Sequence, residues 1–450
     1  MKAKTLSTPL KASIIILNYF GEKVIEETIN SVLNQNYPQN QYEILVPDNA
    51  SKDKSLEILN TLSKKYPQIK VLPFKKNYGF AGGNGRALKE AKGEYIILLN
   101  NDCLADSNWL KKLIKCADKD KKIFSVSSKV LIYPRYFTIS FKKKNLLNKC
   151  KLSNSKLLRF GKEDHLKIPF KKQGDNYYID IPFEKNNDNK LDIELEFSIG
   201  KDIQPIINED IKVDINRIKK TKSLVVYKLV IDVKNKIFQK GSFNKIQNAG
   251  SIIFQDGYGR DIGATVKSHH GDYEKDFGQY DYDREVYSTC GAASLYRRSI
   301  INKIGFLTDD FFMYYEDTEI SERARLAGYK NMYCHQAIAR HLHALSSKEW
   351  SPFFIYQTEK GRLLHIFYHF PKNVFLKQYY NFFKASLLRI GHNFIFNRQH
   401  LSKDIQYINA STYFIKNIFY LLRRRKTLNK NNVVSVDNFY KQILSGIWIN

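Results

Sequence analysis

The chain is short of acids, of paired cysteines and of long apolar runs. Of its 450 residues, 45 are Asp or Glu against 73 Lys or Arg, a formal net charge of +28. Such an imbalance points to a polyanionic partner: nucleic acid, a phosphate-bearing substrate or an anionic membrane surface. The five cysteines, Cys103, Cys116, Cys150, Cys290 and Cys334, stand far apart with no CxxC pair. That spacing argues against a zinc ribbon or a disulfide framework and suits a reducing compartment. No uninterrupted stretch of about 18 apolar residues occurs, so no spanning helix is expected. Lysines among residues 1–11 are followed by neither a long apolar core nor a small-residue cleavage site, so no signal peptide is expected. P-loop and GxGxxG spacings are missing, as is any internal repeat. The rest of the composition is that of a globular protein, with 43% hydrophobic and 26% charged residues. A wholly disordered, collagenous or fibrous chain is excluded, and the length suggests about three domains. Aromatics are plentiful, with 29 Tyr and 29 Phe.

Along the first 130 residues short apolar runs alternate with helical spacing. Strands are expected at Ser13–Leu17, Tyr42–Val46, Lys70–Phe74 and Tyr95–Leu99, and helices over 24–34, 55–65, 81–91 and 109–117. This alternation predicts an α/β fold, a mainly parallel sheet with helices on both faces. Ligands of such sheets bind beyond the carboxyl ends of the strands. Those ends are polar here: Asn18, Asp48-Asn49, Asn77 and Asn100-Asn101-Asp102. After Tyr133 the style changes to period-two alternation in Tyr178–Phe183, Leu191–Phe197 and Tyr227–Val233, as in half-buried antiparallel strands. The expected organisation is therefore an α/β half over 1–133, a β-rich insertion over 134–245, a second α/β half over 246–348 and a basic, aromatic, helical region over 349–450.

Four local features carry chemistry. Leu98-Leu-Asn-Asn-Asp102 sets a carboxylate and two amides directly after a buried strand, which by itself suits a capped turn more than the hard divalent cation it could also hold. Asn77-Tyr-Gly-Phe-Ala-Gly-Gly-Asn-Gly-Arg86 lies between a strand and a helix, where glycines permit close backbone approach and the helix end favours phosphate. Its alternative is a tight turn. Glu316, Asp317 and Glu319 open a helix straight after the aromatic run Phe311–Tyr315. Acids there complement the helix dipole, and a carboxyl beside aromatics can also serve as a base. His341 or His343 offers a nitrogen ligand or a structural hydrogen bond.

The order of these motifs is more specific than any one of them. Ser13-Ile-Ile-Ile-Leu-Asn-Tyr19, Val46-Pro-Asp-Asn-Ala-Ser-Lys-Asp53, Asn77–Asn84, Leu98–Asp102, Gly259-Arg-Asp-Ile-Gly263, Gly291-Ala-Ala-Ser-Leu-Tyr-Arg-Arg298, Phe311–Gly328 and the His341 region follow one another in the chain. In this order they resemble the inverting family 2 glycosyltransferases of GT-A fold. The match is closest to the rhamnosyltransferase-like subgroup of bacterial surface polysaccharide synthesis. The resemblance covers roughly 10–133 and 246–345.

The resemblance implies a transferase moving a sugar from a nucleotide-diphosphate donor to a glycan or lipid-linked glycan acceptor. Asn18, Asp48 and Ser51 would line the nucleoside pocket. Asn77, Gly82, Gly83 and Asn84 would shape the wall around ribose and sugar, with Asn100 and Asn101 also on the donor side. Asp102 would hold a divalent cation, Mg²⁺ or Mn²⁺, and His341 would complete its shell. Asp317 would be the catalytic base and Glu316 would hold the acceptor. Two departures stand out. Asn100 replaces the first carboxylate of the Asp-x-Asp metal motif, and Pro47 is expected to end strand pairing because it lacks an N–H. Asn100 also keeps open a catalytically impaired scaffold of the same fold. A nucleic-acid-binding protein fits the charge but lacks a recognition motif, so no nucleic-acid partner is expected. Interleaved cations and aromatics over 353–448, ending in Arg423-Arg-Arg-Lys426, predict helices lying on an anionic membrane surface. The expected location is cytoplasmic, peripheral on the inner face of the cytoplasmic membrane.

Overall fold

A computed structural model describes residues 10–142, 242–265, 273–342 and 350–447, and between 147 and 232 the stretches 147–153, 166–168, 170–173, 176–184, 190–198, 205–206, 214–221 and 224–232. Residues 1–9, Val233 and His343, on which expectations fell, lie outside the described residues. The chain divides into two compact units, one of Met1–Leu131, Gln247–Asp272 and Gly278–Asn450, the other of Ile132–Ile246 and Tyr273–Phe277.

In the first unit β1 (Ala12–Ile15), α1 (Ile25–Leu33), β2 (Tyr42–Asp48), α2 (Ser55–Lys65), β3 (Ile69–Pro73), α3 (Gly79–Leu88), β4 (Tyr95–Leu99), β5 (Cys103–Ala105), α4 (Trp109–Ala117) and the start of β6 (Ile123–Lys142) follow in order. Then come a short antiparallel pair, β7 (Ser251–Ile253) and β8 (Gly259–Asp261), and β9 (Ala293–Arg297), α5 (Arg298–Ile304), α6 (Glu316–Leu326) and β10 (Lys330–His341). The sheet runs β6-β9-β4-β1-β2-β3. Strands β4, β1, β2 and β3 are parallel, and β9 is antiparallel to both β4 and β6.

The parallel strands are apolar without alternation because both faces are covered. Ile14, Ile97 and Leu99 join Trp109 and Leu110 in one core cluster. Their neighbours Ile15, Ile96 and Leu98 join Phe124, Tyr296 and Ile320 in another. Pro47 does not end the pairing, contrary to the expectation. Pairing of β2 with β3 continues through Pro47–Leu72 and Asp48–Pro73. A parallel ladder uses the carbonyl as well as the N–H, and Pro47 O accepts from Asn18 N at 2.8 Å.

Four helices complete the unit: α7 (Pro352–His369), α8 (Lys372–Phe396), α9 (Leu401–Leu428) and α10 (Val436–Leu444). Ser351 caps α7 by accepting from Phe354 N at 3.2 Å, with Pro352 in the first turn. Phe367, Tyr368, Phe370 and Phe375 turn inward and pack with Phe311, Phe414 and Leu421. These aromatics, expected on a membrane face, are thus core residues. Among the described residues no helix is long and apolar enough to cross a membrane.

The second unit is antiparallel β throughout its described strands. Asn176–Phe183 pairs with the distal half of β6, and Lys190–Ser198 pairs with Leu147–Ser153 and Leu224–Asp232. Alternate residues Ile179, Ile181 and Phe183, and Leu191, Ile193 and Leu195, point into one shared core. That is the period-two pattern of the sequence made physical.

Candidate active site

A cleft of about 350 Å³ opens beyond the carboxyl ends of β1 and β4. Its walls come from strand-end residues Leu17, Asn49, Asn100 and Asp102, from Gly291 before β9, and from the loop and first turn of α6.

One corner is built by the register of β10 against β5, which sets His341 opposite Cys103 and draws Leu342 N onto Asp102 O at 3.0 Å. His341 Nε2 thereby lies 3.0 Å from Asp102 Oδ1, and both side chains are buried. His341 Nδ1 lies 2.8 Å from Gln247 Oε1. With Nδ1 donating to that oxygen, Nε2 turns a lone pair toward the carboxylate. Two lone-pair donors aimed at one point fit a cation between them. One carboxylate and one imidazole, with room for water and phosphate oxygens, suit Mg²⁺ or Mn²⁺. Cys103 Sγ is close by, but burial and the Asp102 charge hold its thiol protonated, well above the usual range.

The other corner is the start of α6. Tyr314 and Tyr315 both hold positive φ, 70° and 67°. Left-handed backbone at non-glycine residues costs roughly 1–3 kcal/mol each and persists only where packing enforces it. Here Tyr315 stacks on His365 at 5.1 Å and Tyr314 packs edge-on against Phe354 at 5.1 Å. Gly79, at φ +72°, admits the same loop: a Cβ there would lie 2.3 Å from Phe312 O. The strained pair swings Glu316 and Asp317 into the cleft. Asp317 Oδ2 accepts from Gly291 N at 2.8 Å and Oδ1 from Thr318 N at 2.7 Å. Burial nonetheless raises the Asp317 pKa, with these backbone donors opposing. Glu316 is driven well above the carboxylate range by burial and then by the Asp317 charge, and its Oε2 has no hydrogen-bond partner among the described residues.

Between the corners sits Asp261 at the end of β8. Its Oδ1 accepts from Asn248 Nδ2 at 2.7 Å and Ser251 Oγ at 2.8 Å. Burial, with the Asp317 charge, pushes its pKa up to about 6.

The structure therefore brings Asn77, Asn100, Asn101, Asp102, Glu316, Asp317 and His341 to one cleft. Asn18, Asp48, Ser51, Gly82, Gly83 and Asn84 do not line it. Asn18 and Asp48 are fully enclosed, Asn18 Nδ2 reaching Asp48 Oδ1 at 2.7 Å and Ser55 Oγ at 3.0 Å, while Asp48 Oδ2 accepts from Ser51 N. This network ties the ends of β1 and β2 together. Gly83 is a packing residue, since a Cβ would come within 2.6 Å of Leu17. Asn84 is buried and donates to Phe80 O within α3. Sequence reasoning missed Asp261, Gln247, Phe312 and Phe353. Asp261 stood in a motif already singled out; Gln247 carried no signal, because its role is set by a partner far along the chain.

An open parallel sheet with its cleft at the strand ends, extended by antiparallel strands and helices, is the GT-A fold. The solved structure of GalNAc-T7 with UDP, GalNAc and Mn²⁺ shares it at a TM-score of 0.53 and 14% identity, over 98% of this chain and 57% of that one. Residues 13–179 match the family model described as glycosyl transferase family 2. Poly(ribitol-phosphate) beta-glucosyltransferase of Bacillus spizizenii is 42% identical over 94 residues, 21% of this chain and 15% of that protein. Poly(ribitol-phosphate) beta-N-acetylglucosaminyltransferase TarS of Staphylococcus aureus is 33% identical over 106 residues, 23% of this chain and 18% of the other. These matches span well under half the length of either relative.

Proposed function

We propose that the protein is an inverting glycosyltransferase that moves a sugar from a nucleotide-diphosphate donor to a hydroxyl of a glycan or lipid-linked glycan in surface polysaccharide synthesis. One observation carries this reading: a single cleft holds Asp102 and His341, a pair suited to a cation, together with the carboxyl of Asp317. The family match of residues 13–179 supports it.

Asp102 and His341 would hold a divalent cation, which when bound supplies positive charge against the diphosphate leaving group. Asp317, held by Gly291 N–H, accepts the proton of the acceptor hydroxyl. The hydroxyl oxygen attacks the anomeric carbon as the diphosphate leaves from the opposite face, so one displacement inverts the configuration. Glu316, kept protonated by its enclosure, donates a hydrogen bond that steadies the acceptor. Phe312, Phe353 and Phe354 line the cleft and exclude water. The retained carboxyls and histidine favour this activity over an inactive scaffold, Asn100 notwithstanding.

Incubation of the full chain with UDP-, dTDP- and GDP-sugars and Mg²⁺ or Mn²⁺ tests the proposal. The dTDP-sugars probe the rhamnosyltransferase-like subgroup. Release of nucleoside diphosphate, with the anomeric configuration of the product read by NMR, supports it if inverted. No donor binding and no turnover with any sugar nucleotide would sink it.

The same reading includes docking on an anionic membrane. From Lys372 to Leu428 the chain carries eleven lysines and arginines and one acid, Asp404, which is buried. Among those cations Leu376, Tyr380, Leu388, Ile395, Phe396 and Phe419 are all more than half exposed. Apolar side chains flanked by cations suit an interface of acyl chains and anionic headgroups, where a lipid-linked acceptor would lie.

A further inference from the structure

Cysteine spacing along the chain gives no hint of a metal site, yet the fold assembles a ligand cluster away from the cleft. Cys116 lies in the last turn of α4 and Cys334 in β10, and both are buried where helix and strand pack. Cys116 Sγ, Cys334 Sγ and a carboxylate oxygen of Asp283 all lie within 4.8 Å of one another. The Asp283 side chain is 23% exposed, which leaves the cluster one side open to solvent.

Tetrahedral zinc takes sulfur at about 2.3 Å and carboxylate oxygen at about 2.0–2.2 Å, so its ligand atoms stand roughly 3.5–3.8 Å apart. The cluster needs a contraction of only about 1 Å to reach that. Asp283 is oriented as ligating carboxylates usually are, by outer hydrogen bonds. His335 Nδ1 lies 2.8 Å from Oδ1 and Lys119 Nζ 2.7 Å from Oδ2. Oδ1 also accepts from His335 N at 3.2 Å, so Oδ2 is the oxygen that keeps a second lone pair for a cation. The charges also close: two thiolates and a carboxylate against a dication leave one negative charge, and Lys119 supplies the matching positive one.

We propose that Cys116, Cys334 and Asp283 form a binding site for a thiophilic divalent cation of the zinc class, with water at the fourth position. Such an ion would clamp α4 to β10, the elements that follow and carry, respectively, Asp102 and His341. The site is separate from that corner and needs no donor sugar.

The test is metal analysis and spectroscopy on the full chain. Reduced protein equilibrated with Zn²⁺ and then desalted should retain one equivalent, in wild type and in Asp102→Ala alike. Cobalt substitution should give a thiolate-to-cobalt absorption band that persists in Cys103→Ser. Cys116→Ser with Cys334→Ser should abolish band and retention, and Asp283→Asn should weaken zinc by about tenfold or more. Should the double variant not fold, wild type alone still decides: zinc should shield Cys116 and Cys334 from alkylation, as mapped by mass spectrometry. Zinc retention indifferent to the two cysteines, absence of shielding, or a Cys116–Cys334 disulfide in a chain that binds no zinc once reduced would each overturn the proposal.

Discussion

Asp317 receives the backbone N–H of Gly291 at 2.8 Å, which pins the carboxyl at the head of α6 to the strand beside Asn100. That bond orients one oxygen while burial raises the proton affinity of the group. Asp317→Asn keeps an acceptor for Gly291 and removes the base. Transfer should fall by about 10²–10⁴-fold while donor binding stays close to wild type. Transfer assays beside a donor titration check this, and an unaltered rate would remove Asp317 from the role.

Asp102→Ala should weaken donor binding and abolish its dependence on Mg²⁺ or Mn²⁺. His341→Ala should do so less, because a neutral ligand contributes less charge to the site than a carboxylate. Donor titrations at several cation concentrations measure both. A cation dependence unchanged in Asp102→Ala would reject the ligand pair drawn from the 3.0 Å contact.

Asp261 gives a stability prediction with a defined sign. Its folded pKa of about 6 lies above the value of about 3.9 for a free Asp. Between those values the folded chain binds more protons than the unfolded one, so this group lowers stability as pH rises through the window. Asp261→Asn preserves an acceptor for Asn248 and Ser251 and removes the charge. The variant should melt at higher temperature than wild type above pH 6 and match it near pH 4. The gain is at most about 3 kcal/mol at about 1.4 kcal/mol per unit, less for solvent exposure. Thermal melts across pH 4–8 measure it; parallel curves would show that Asp261 does not titrate there.

The sheet was legible where burial made it so. Tyr95–Leu99 matches its strand residue for residue because both faces are covered and polar residues bound the run. Pro47 misled because the rule counts the lost N–H, whereas in β2 its carbonyl still holds Asn18. At the site, Asp102, Glu316 and Asp317 showed in local motifs, since each stands at the end of an element. Gln247 and the Cys116–Cys334 pair did not, because only β-strand register and helix packing bring such residues to their partners. The enclosure of Asp48 was illegible for the same reason.

Aromatic and basic residues of the last hundred positions were evident, but their directions were not, and the final prediction depends on direction. Of the four cations Arg423–Lys426, two serve the interior. Arg424 Nε lies 3.3 Å from Asp310 Oδ2, and Arg425 donates to Phe367 O and Phe370 O. Arg423 and Lys426 are exposed, near the apolar Phe419 and Leu422. They are therefore the pair to change without disturbing the fold. The full chain should cosediment with anionic liposomes at low salt and be released by high salt more readily than by mild detergent. Replacing Arg423→Gln and Lys426→Gln removes about 1 kcal/mol of attraction each, roughly a 30-fold loss of partitioning at unchanged melting temperature. Equal recovery in the supernatant with and without liposomes would refute docking and leave the exposed face of α8 and α9 to contacts between proteins. A loss of binding accompanied by a lower melting temperature would instead assign these two cations to packing.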